Sequence, residues 1–403
     1  MLKIAYTGFP RYLSLPILSS IAKETHKYAE NFYIDISEET PEEHVPENFG
    51  MTVRINRKFV ETALADIKSR KVLSTLKSVK ALREHIDARL LLIDPDAIVA
   101  TSDMGGLVTR LCNEWAVKHG RPFFIMQPSF IEVAPEKMKN KISRIAIYLI
   151  FNKLFRTPIG RRQHYYGNER KSNYLLLWSS EFANQIRDNA IAKNTFCVGN
   201  PLLDKFANQK VRIDVKEPVV LICTQPYNKL MDMGILTRNQ VIEMYGMLWG
   251  IISQNPGIHF IIKVHPSEDI KTYSMVIFGS QMGANYSITQ TASMSDLLKV
   301  ADVQVSMASY TSFEAVVAGV PIIILHPEFM KFFNQFDGVA QNVDNIETFN
   351  VLLRRLLRKL GRECFAIQRK EYLNKKLSYF GNSAEVTANT IRRVVEWKKP
   401  GFR

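Results

Sequence analysis

Residues 301–325 read Ala-Asp-Val-Gln-Val-Ser-Met-Ala-Ser-Tyr-Thr-Ser-Phe-Glu-Ala-Val-Val-Ala-Gly-Val-Pro-Ile-Ile-Ile-Leu. The pattern predicts a strand over 303–306, a turn rich in hydroxyl groups, a helix, and a second strand over 322–325. Because every position of the second strand is apolar, we expect helices to cover both of its faces, as in a parallel sheet. Strand, helix and strand in this order form a βαβ unit and indicate an α/β fold.

The same alternation of short apolar runs and longer helical patterns recurs along the chain. Further strands are predicted at 3–7, 33–36, 97–101, 123–126, 175–178, 195–198, 219–223, 259–264 and 287–289. The last helix is predicted at 383–397, with Ser383 as its N-cap. The whole pattern is that of repeated βα units around parallel sheets.

Length and composition indicate a two-domain globular protein. The 403 residues exceed one ordinary core, and 46% of them are hydrophobic, which argues against disordered and coiled-coil classes. A polar segment at 207–218 ends in Pro218, directly before a buried strand, and we place the domain boundary there.

Cysteine usage and hydropathy predict a cytoplasmic protein, either free or peripheral on the inner face of the cell membrane. The four cysteines have no CxxC spacing, so neither a zinc site nor a disulfide framework is expected. The start of the sequence has no signal-peptide pattern, and no window approaches the length of a spanning helix.

The charge favours polyanionic partners, because 53 Lys plus Arg against 39 Asp plus Glu leave a net charge of +14. Residues 137–171 hold ten basic residues and one acid, around an apolar block at 145–151. Such a segment can lie on an anionic membrane surface, and the alternative is a core helix with basic ends. No Gly-aromatic RNA-binding pattern or zinc knuckle accompanies the charge, so nucleic acid is not expected as a partner.

Two motifs carry candidate chemistry in the second half. Lys263-Val264-His265-Pro266 stands where a predicted strand ends, at the sheet edge where open α/β folds bind ligands. Pro266 restricts the loop as it leaves the strand, and Lys263 and His265 can both donate hydrogen bonds to phosphate. Taken alone, a histidine in the position of His265 more often has a structural role in a loop.

The second motif is the hydroxyl-rich turn Ser309-Tyr310-Thr311-Ser312. Its hydroxyls and backbone N–H groups stand at a predicted helix N-terminus, where phosphate is favoured. Glu314 follows and could accept hydrogen bonds from two ribose hydroxyls. The alternative is an ordinary N-cap with a capping-box acid.

Together these motifs and Ala318-Gly319-Val320-Pro321 resemble the donor-binding domain of GT-B glycosyltransferases. The relatives in question are the capsule and teichoic-acid polymer transferases, the HP-motif sialyltransferases and the UDP-N-acetylglucosamine 2-epimerases. The resemblance implies an α/β protein of two Rossmann-like domains, with parallel sheets facing an interdomain cleft. It also implies that His265 and Ser309–Thr311 hold the donor phosphate, and that Glu314 holds the ribose.

Weaker similarities extend over most of the chain. Cys197-Val-Gly-Asn-Pro-Leu-Leu-Asp204 resembles the segment that closes the N-terminal domain in these families, and Thr7-Gly8-Phe9-Pro10-Arg11 resembles the glycine loop after their first strand. Gly8 is therefore a candidate donor contact. The implied domains are 1–206 on the acceptor side, 207–380 for the nucleotide sugar, and a helix at 381–403 that packs back on the first.

Asp103 is the candidate general base. It follows the predicted strand at 97–101, where an acid could take the proton of an acceptor hydroxyl; its alternative role is to cap the next helix. The 2-epimerases also have an acid here, but they carry a second one where this chain has Gln127, and a His where it has Thr224-Gln225. The missing titratable groups favour a transferase, and Gln225 remains a candidate donor contact.

The predicted function is metal-independent transfer of a sugar from a UDP- or CMP-linked donor to a surface glycan or lipid-linked acceptor. No cofactor is expected, because Lys, His and a helix N-terminus can offset the charge of the leaving phosphate. The alternatives are a 2-epimerase-like enzyme, a CDP-polyol phosphotransferase and a binding module without activity.

Overall fold

Two units make up the chain: Met1–Asp204 with Lys375–Arg403 (unit 1), and Lys205–Asn374 (unit 2). The computed structural model describes residues 1–8, 11–35, 47–69, 71–102, 106–130, 142, 145–155, 157, 172–186, 194–207, 213, 215–232, 234–273, 285–307, 309–330 and 334–398.

Unit 1 is built on a seven-stranded parallel sheet in the order β3-β2-β1-β4-β5-β6-β7. Its strands are β1 (Leu2–Thr7), β2 (Ala29–Asp35), β3 (Met51–Arg54), β4 (Ala97–Ala100), β5 (Phe123–Met126), β6 (Tyr174–Leu177) and β7 (Asn194–Cys197).

Unit 2 is built on a six-stranded parallel sheet in the order β10-β9-β8-β11-β12-β13. Its strands are β8 (Val219–Cys223), β9 (His259–Lys263), β10 (Tyr286–Thr289), β11 (Val303–Ser306), β12 (Ile322–Leu325) and β13 (Ala340–Val343). Counted from its first strand, this is the order 3-2-1-4-5-6, and unit 1 repeats it with one strand added. Both units are therefore Rossmann-like α/β domains, as the sequence predicts.

Helices connect the strands, as parallel pairing requires. In chain order they are α1 (Arg11–Thr25), α2 (Arg57–Ser69), α3 (Val72–Ile93), α4 (Leu107–Lys118), α5 (Ser180–Ile186), α6 (Asp204–Ala207), α7 (Tyr227–Asp232), α8 (Arg238–Ser253), α9 (Ile270–Thr272), α10 (Met294–Val300), α11 (Tyr310–Ala318), α12 (Ile346–Leu357), α13 (Lys359–Lys376) and α14 (Ser383–Lys398). In unit 2 the buried side chains of β8, β9, β11 and β12 form one hydrophobic core with those of α8 and α12. Burying each such large apolar side chain stabilises the fold by about 1.5–3 kcal/mol.

Two of the four outer strands, β3 and β13, are absent from the sequence prediction, which does include β7 and β10. Polar residues stand between the apolar ones in both sequences, Met-Thr-Val-Arg and Ala-Gln-Asn-Val. Neither therefore has the run of apolar residues by which the central strands are recognised.

The last helix is capped differently from the prediction. Ser383 is its first residue, and its hydroxyl donates to the carbonyl of Tyr379 (3.0 Å). The carboxylate of Asp204 instead accepts the backbone N–H groups of Gly381 (3.0 Å) and Ala384 (2.8 Å). Helix α14 also accepts a hydrogen bond from the Tyr28 hydroxyl at the carbonyl of Ala388. It is thereby part of unit 1.

Gly199 permits this close approach. Its φ is +81°, and a Cβ there would lie 2.1 Å from the carbonyl oxygen of Ser378. A residue with a side chain at this position would be both strained and blocked.

The apolar block within 137–171 is exposed where the structure describes it. Tyr148–Leu154 forms a π-helix, and Ile145, Leu149 and Leu154 are 38%, 53% and 71% exposed. The described residues of this segment therefore do not form a core helix, and that alternative is wrong for them. Over the described part of the chain, no helix is long and apolar enough to span a membrane.

Candidate functional site

The candidate residues of unit 2 follow three neighbouring strands. Strand β8 pairs with β9 on one side and with β11 on the other, so it marks the switch point at which chain connections turn in opposite directions. Ligands of open α/β sheets bind at the carboxyl ends of such strands. These strands are followed, after one to three residues, by Thr224, His265 and Ser309, and the structure brings their loops to one edge.

The His265 ring is hydrogen-bonded through Nδ1, and its Nε2 has no partner among the described residues. Its Nδ1 accepts the backbone N–H of Ser267 (3.1 Å) and lies 2.8 Å from the Ser267 hydroxyl, and its own backbone N–H donates to Thr224 Oγ1 (2.9 Å). Since Nδ1 accepts a backbone proton, the neutral ring carries its hydrogen on Nε2. Burial, and secondly the nearby Lys229, lower the pKa of His265, so the neutral form with an Nε2–H donor is favoured.

Lys263 is tied to the next loop. Its ammonium group donates to the carbonyl of Gln290, and burial lowers its pKa. The Gln290 side-chain amide donates in turn to the carbonyls of His265 (3.0 Å) and Glu268 (2.8 Å). Gln290 thus holds the shape of the His265-Pro266 loop.

The sequence prediction does not include Thr224 and Gln290 as residues that position the His265 loop. Both follow directly on parallel strands, β8 and β10, and the rule that points to His265 applies equally to them.

Ser309 caps helix α11. Its hydroxyl oxygen accepts the backbone N–H of Thr311 (3.2 Å) and the Thr311 hydroxyl (3.0 Å). The Ser312 hydroxyl is fully buried and bonded to the Ser306 hydroxyl (2.6 Å). Ser312 therefore ties the helix to β11, and we leave it out of the proposed contacts, while Tyr310 and Thr311 stay half-exposed.

Glu314 does not belong to a capping box. It is the fifth residue of α11, and the third position, which a capping-box acid occupies, is Ser312. The side chain is almost fully buried, and one carboxylate oxygen lies 3.7 Å from Lys205 Nζ. Burial raises the pKa of Glu314, and Lys205 opposes that rise.

Cys223 is the last residue of β8, which pairs with β11, the strand before α11. Burial raises the pKa of its thiol to about 11, and the nearby Thr311 side chain opposes that rise. The thiol is therefore neutral, and its sulfur lies 3.9 Å from the sulfur of Met294 at the start of α10.

The candidates Gln225 and Pro266 have different settings. Gln225 is 7% exposed, and its carbonyl accepts the backbone N–H of Tyr227 (2.9 Å), which shapes the entry to α7. Pro266 is exposed in the loop after His265.

A second His-Pro pair lies on the same edge, and the sequence prediction did not include it. His326 follows β12 with φ at +46°, bonds Glu328 through Nδ1 (2.7 Å), and stacks on Phe329 with ring centroids 4.5 Å apart. Positive φ in a residue other than glycine is a local strain, and such strain is concentrated at functional sites. A buried strand ending in His-Pro was the available signal.

In unit 1, Gly8 and Thr101 follow the adjacent strands β1 and β4. A Cβ on Gly8 would lie 2.4 Å from Ser14 Cβ and 2.7 Å from Thr101 Oγ1. The hydroxyls of Ser14 and Thr101 are hydrogen-bonded to each other (2.7 Å). Glycine is thus required for α1 to approach β4. A donor contact at Gly8 stays a prediction, and Asp103 lies outside the described residues.

The described residues contain no group of three metal-ligating side chains. The Asp-x-Asp sequence at 94–96 precedes β4, at the edge where the strands begin. Asp94 and Asp96 both pair with Arg121 (2.9 and 3.7 Å), and Asp96 also accepts the backbone N–H of Lys3. Both carboxylates are therefore used in holding the fold.

Solved structures with similar folds cover almost the whole chain. The glycosyltransferase of kitacinnamycin aligns with a TM-score of 0.62 and 15% identity over 97% of this chain and 98% of its own. A putative UDP-N-acetylglucosamine 2-epimerase from Listeria monocytogenes aligns with 0.60 and 12% over 99% and 98%. MnaA of S. aureus in complex with UDP aligns with 0.59 and 12% over 98% and 97%.

The chain has the GT-B fold. At these identities the similarity concerns the fold alone. No protein-family model matches the sequence, and no curated protein sequence matches it either.

Replacing Glu314 by Gln is expected to stabilise the protein at neutral pH. Its raised pKa means that the folded state gives up the proton at higher pH than the unfolded state, so stability falls as pH rises above about 4.5, the ordinary value for Glu. The gain of Glu314→Gln in melting temperature should be largest at pH 7–8 and vanish below pH ~4.5.

The matched control is Glu243→Gln, at an exposed position of α8, which should show no such pH dependence. A wild type more stable than Glu314→Gln at pH 7.5 would contradict the burial argument.

Proposed function

We propose that the protein is a metal-independent glycosyltransferase that moves a sugar from a UDP- or CMP-linked donor to a glycan or lipid-linked acceptor. One observation carries the proposal: a His with an available Nε2–H, a hydroxyl-capped helix and a buried carboxylate follow strands that flank the switch point of unit 2. These groups match a phosphate and a ribose.

In this proposal the donor phosphate is held from two sides. His265 donates from Nε2, and the N-terminal turn of α11 contributes N–H groups and its dipole, with the Thr311 hydroxyl rotating from Ser309 to the phosphate. Lys263 gives one N–H to Gln290 and keeps two for the phosphate, so positive charge faces the leaving group as the glycosidic bond breaks. Glu314 accepts hydrogen bonds from the ribose.

Asp103 is the proposed general base. Its carboxylate would take the proton of the acceptor hydroxyl while the oxygen attacks the anomeric carbon, and the nucleotide leaves with the electron pair of the old bond. In the sequence, Asp103 comes three residues after Ala100, the last residue of β4.

The setting of Gln127 supports a transferase over an epimerase. Its side-chain oxygen accepts the backbone N–H of Trp178 (3.0 Å), its carbonyl accepts the Trp178 indole N–H (2.8 Å), and its amide donates to the carbonyl of Ser129 (3.0 Å). A side-chain amide does not titrate, and one held by these bonds cannot carry a proton to or from a sugar carbon. An epimerase stays the second candidate because structures with that name share the fold, and it would interconvert the nucleotide sugar without any acceptor.

We also propose a class of donor nucleotide and a place in the cell where the protein acts. The Lys263-x-His265-Pro266 motif resembles that of the HP-motif sialyltransferases and the capsule polymer transferases, which favours a cytidine donor, while a CDP-polyol phosphotransferase would use similar motifs. The exposed apolar side chains between Ile145 and Phe155 support contact of the 137–171 segment with the inner face of an anionic membrane. The acceptor would then be presented at that surface.

Nucleotide binding tests the site directly. In a thermal-shift panel of UDP, CMP, CDP and GDP with and without sugars, one base should raise the melting temperature. His265→Ala should weaken that ligand 10-fold or more, about 1.4 kcal/mol, because a hydrogen bond to an anion is lost.

The control His259→Ala removes a histidine from the start of the same strand, at the opposite edge, and should bind like the wild type. Unchanged affinity in His265→Ala would remove the histidine from the site.

Glu314→Ala is expected to weaken binding of the ribonucleotide more than binding of its 2′-deoxy analogue, since the proposed partner of the carboxylate is the ribose. Calorimetry on both ligands measures the ratio. Equal losses for the two ligands would assign Glu314 to packing rather than recognition.

Asp103→Asn should leave donor affinity within about twofold and remove most of the transfer, because a general base acts in the transition state. Donor binding and sugar transfer to an acceptor glycan are measured side by side. Turnover close to that of the wild type would place the base elsewhere.

A further inference from the structure

Unit 2 has a basic groove at the turn between α12 and α13. Its volume is about 540 Å³, and its lining includes Arg354, Arg355 and Arg358. A Cβ on Gly361 would lie 2.1 Å from the carbonyl oxygen of Arg355. Because only glycine permits this approach, the turn between the two helices is tight, and the three arginines line one groove beside it.

The groove carries more positive charge than the helix can offset. None of the three guanidinium groups has an ion pair with a described residue, and the carboxylate of Glu363 in the first turns of α13 pairs with Lys359 (3.9 Å). Arg354 and Arg355 lie in the last turn of α12 and Arg358 follows its end, so three like charges share one groove and repel one another. The dipole at the end of α12 supplies only roughly half a negative charge against three positive ones. An anion in the groove would relieve this repulsion.

Large apolar side chains surround the arginines. Val351 and Leu360 line the groove and are 67% and 71% exposed, and Ile367, two turns further along α13, is 66% exposed. A small free anion would use the guanidinium groups and leave these side chains in water. A surface with both phosphates and hydrocarbon would contact both kinds of side chain.

The groove is separate from the proposed donor site. Helix α12 follows β13 and begins near the carboxyl ends of the strands. A helix in a βα unit runs back along the sheet, so Arg354–Arg358 lie at the edge where the strands begin. His265 and Ser309 lie at the other edge.

We propose that this groove binds the phosphate groups of anionic phospholipids and docks unit 2 on an anionic bilayer, with Val351 and Leu360 entering the interface. Guanidinium groups suit the task because their paired donors fit phosphate oxygens. The inference does not depend on the proposed activity.

The test is flotation of the full chain with vesicles of phosphatidylcholine containing 30% phosphatidylglycerol, against pure phosphatidylcholine. The Arg354/Arg355/Arg358→Ser variant should lose up to about 100-fold in partitioning at low salt, from about 1 kcal/mol per basic residue. Leu360→Ser should remove part of the binding that remains at high salt. The nucleotide thermal shift should stay as in the wild type for both variants, which separates this docking from the donor site.

The matched control is Lys58/Lys68/Lys71→Ser, which removes three exposed charges from α2 and its end and should weaken flotation no more than a few-fold. If the triple arginine variant is unfolded by circular dichroism, Arg358→Ser alone should still lose several-fold.

Equal losses for the arginine and lysine variants would mean that only net charge acts, and would overturn the proposal. So would wild-type flotation by the arginine variant. Binding of inorganic phosphate or of an acidic peptide at this groove without binding of vesicles would assign it to that ligand instead, and would also overturn docking on a bilayer.

Discussion

The parallel pairing of β8 with both β9 and β11 is the constraint on which the proposed site depends. Because all three strands run in the same direction, their carboxyl ends meet at one edge, and loops that are about 40 residues apart in the sequence become neighbours. Small polar contacts then complete the arrangement. Thr224 holds the backbone of His265, Gln290 holds its loop, and Ser306 holds the first turn of α11. No chemistry proposed here needs a large rearrangement of these groups within unit 2.

The fold class follows from sequence because its signals are local. Runs such as Val219–Cys223 and Ile322–Leu325 are apolar at every position, which only a strand covered on both faces requires, and the structure confirms both. The same reasoning does not find the outer strands β3 and β13, because polar residues interrupt both sequences, Met-Thr-Val-Arg and Ala-Gln-Asn-Val. The sequence does not predict the cap of α14 for another reason. Asp204 lies about 180 residues before the N–H groups it binds, and no local pattern indicates such a contact.

The candidate site was predictable in position and less so in the role of each residue. Strand ends point to His265, Ser309 and Glu314, and the structure places all three on that edge. Which nitrogen of His265 is available depends on the Ser267 backbone, and the hydroxyl of Ser312 is consumed by Ser306. Such details are set by packing between elements. Among the described residues the Glu314 carboxylate pairs with Lys205 alone, at 3.7 Å, and a buried carboxylate so weakly paired destabilises the fold.

Because α14 belongs to unit 1, the two units are completed at different times during synthesis. Unit 2 is one continuous stretch, Lys205–Asn374, and can fold once it has left the ribosome. Unit 1 lacks a helix and the backbone partners of Asp204 until residues beyond 381 emerge. At the usual 5–20 residues per second, the 180 residues between Asp204 and Ala384 take on the order of 10 to 40 seconds to make. The domain that begins first is therefore the one that is completed last, and during that interval the surface that α14 covers is open to chaperones.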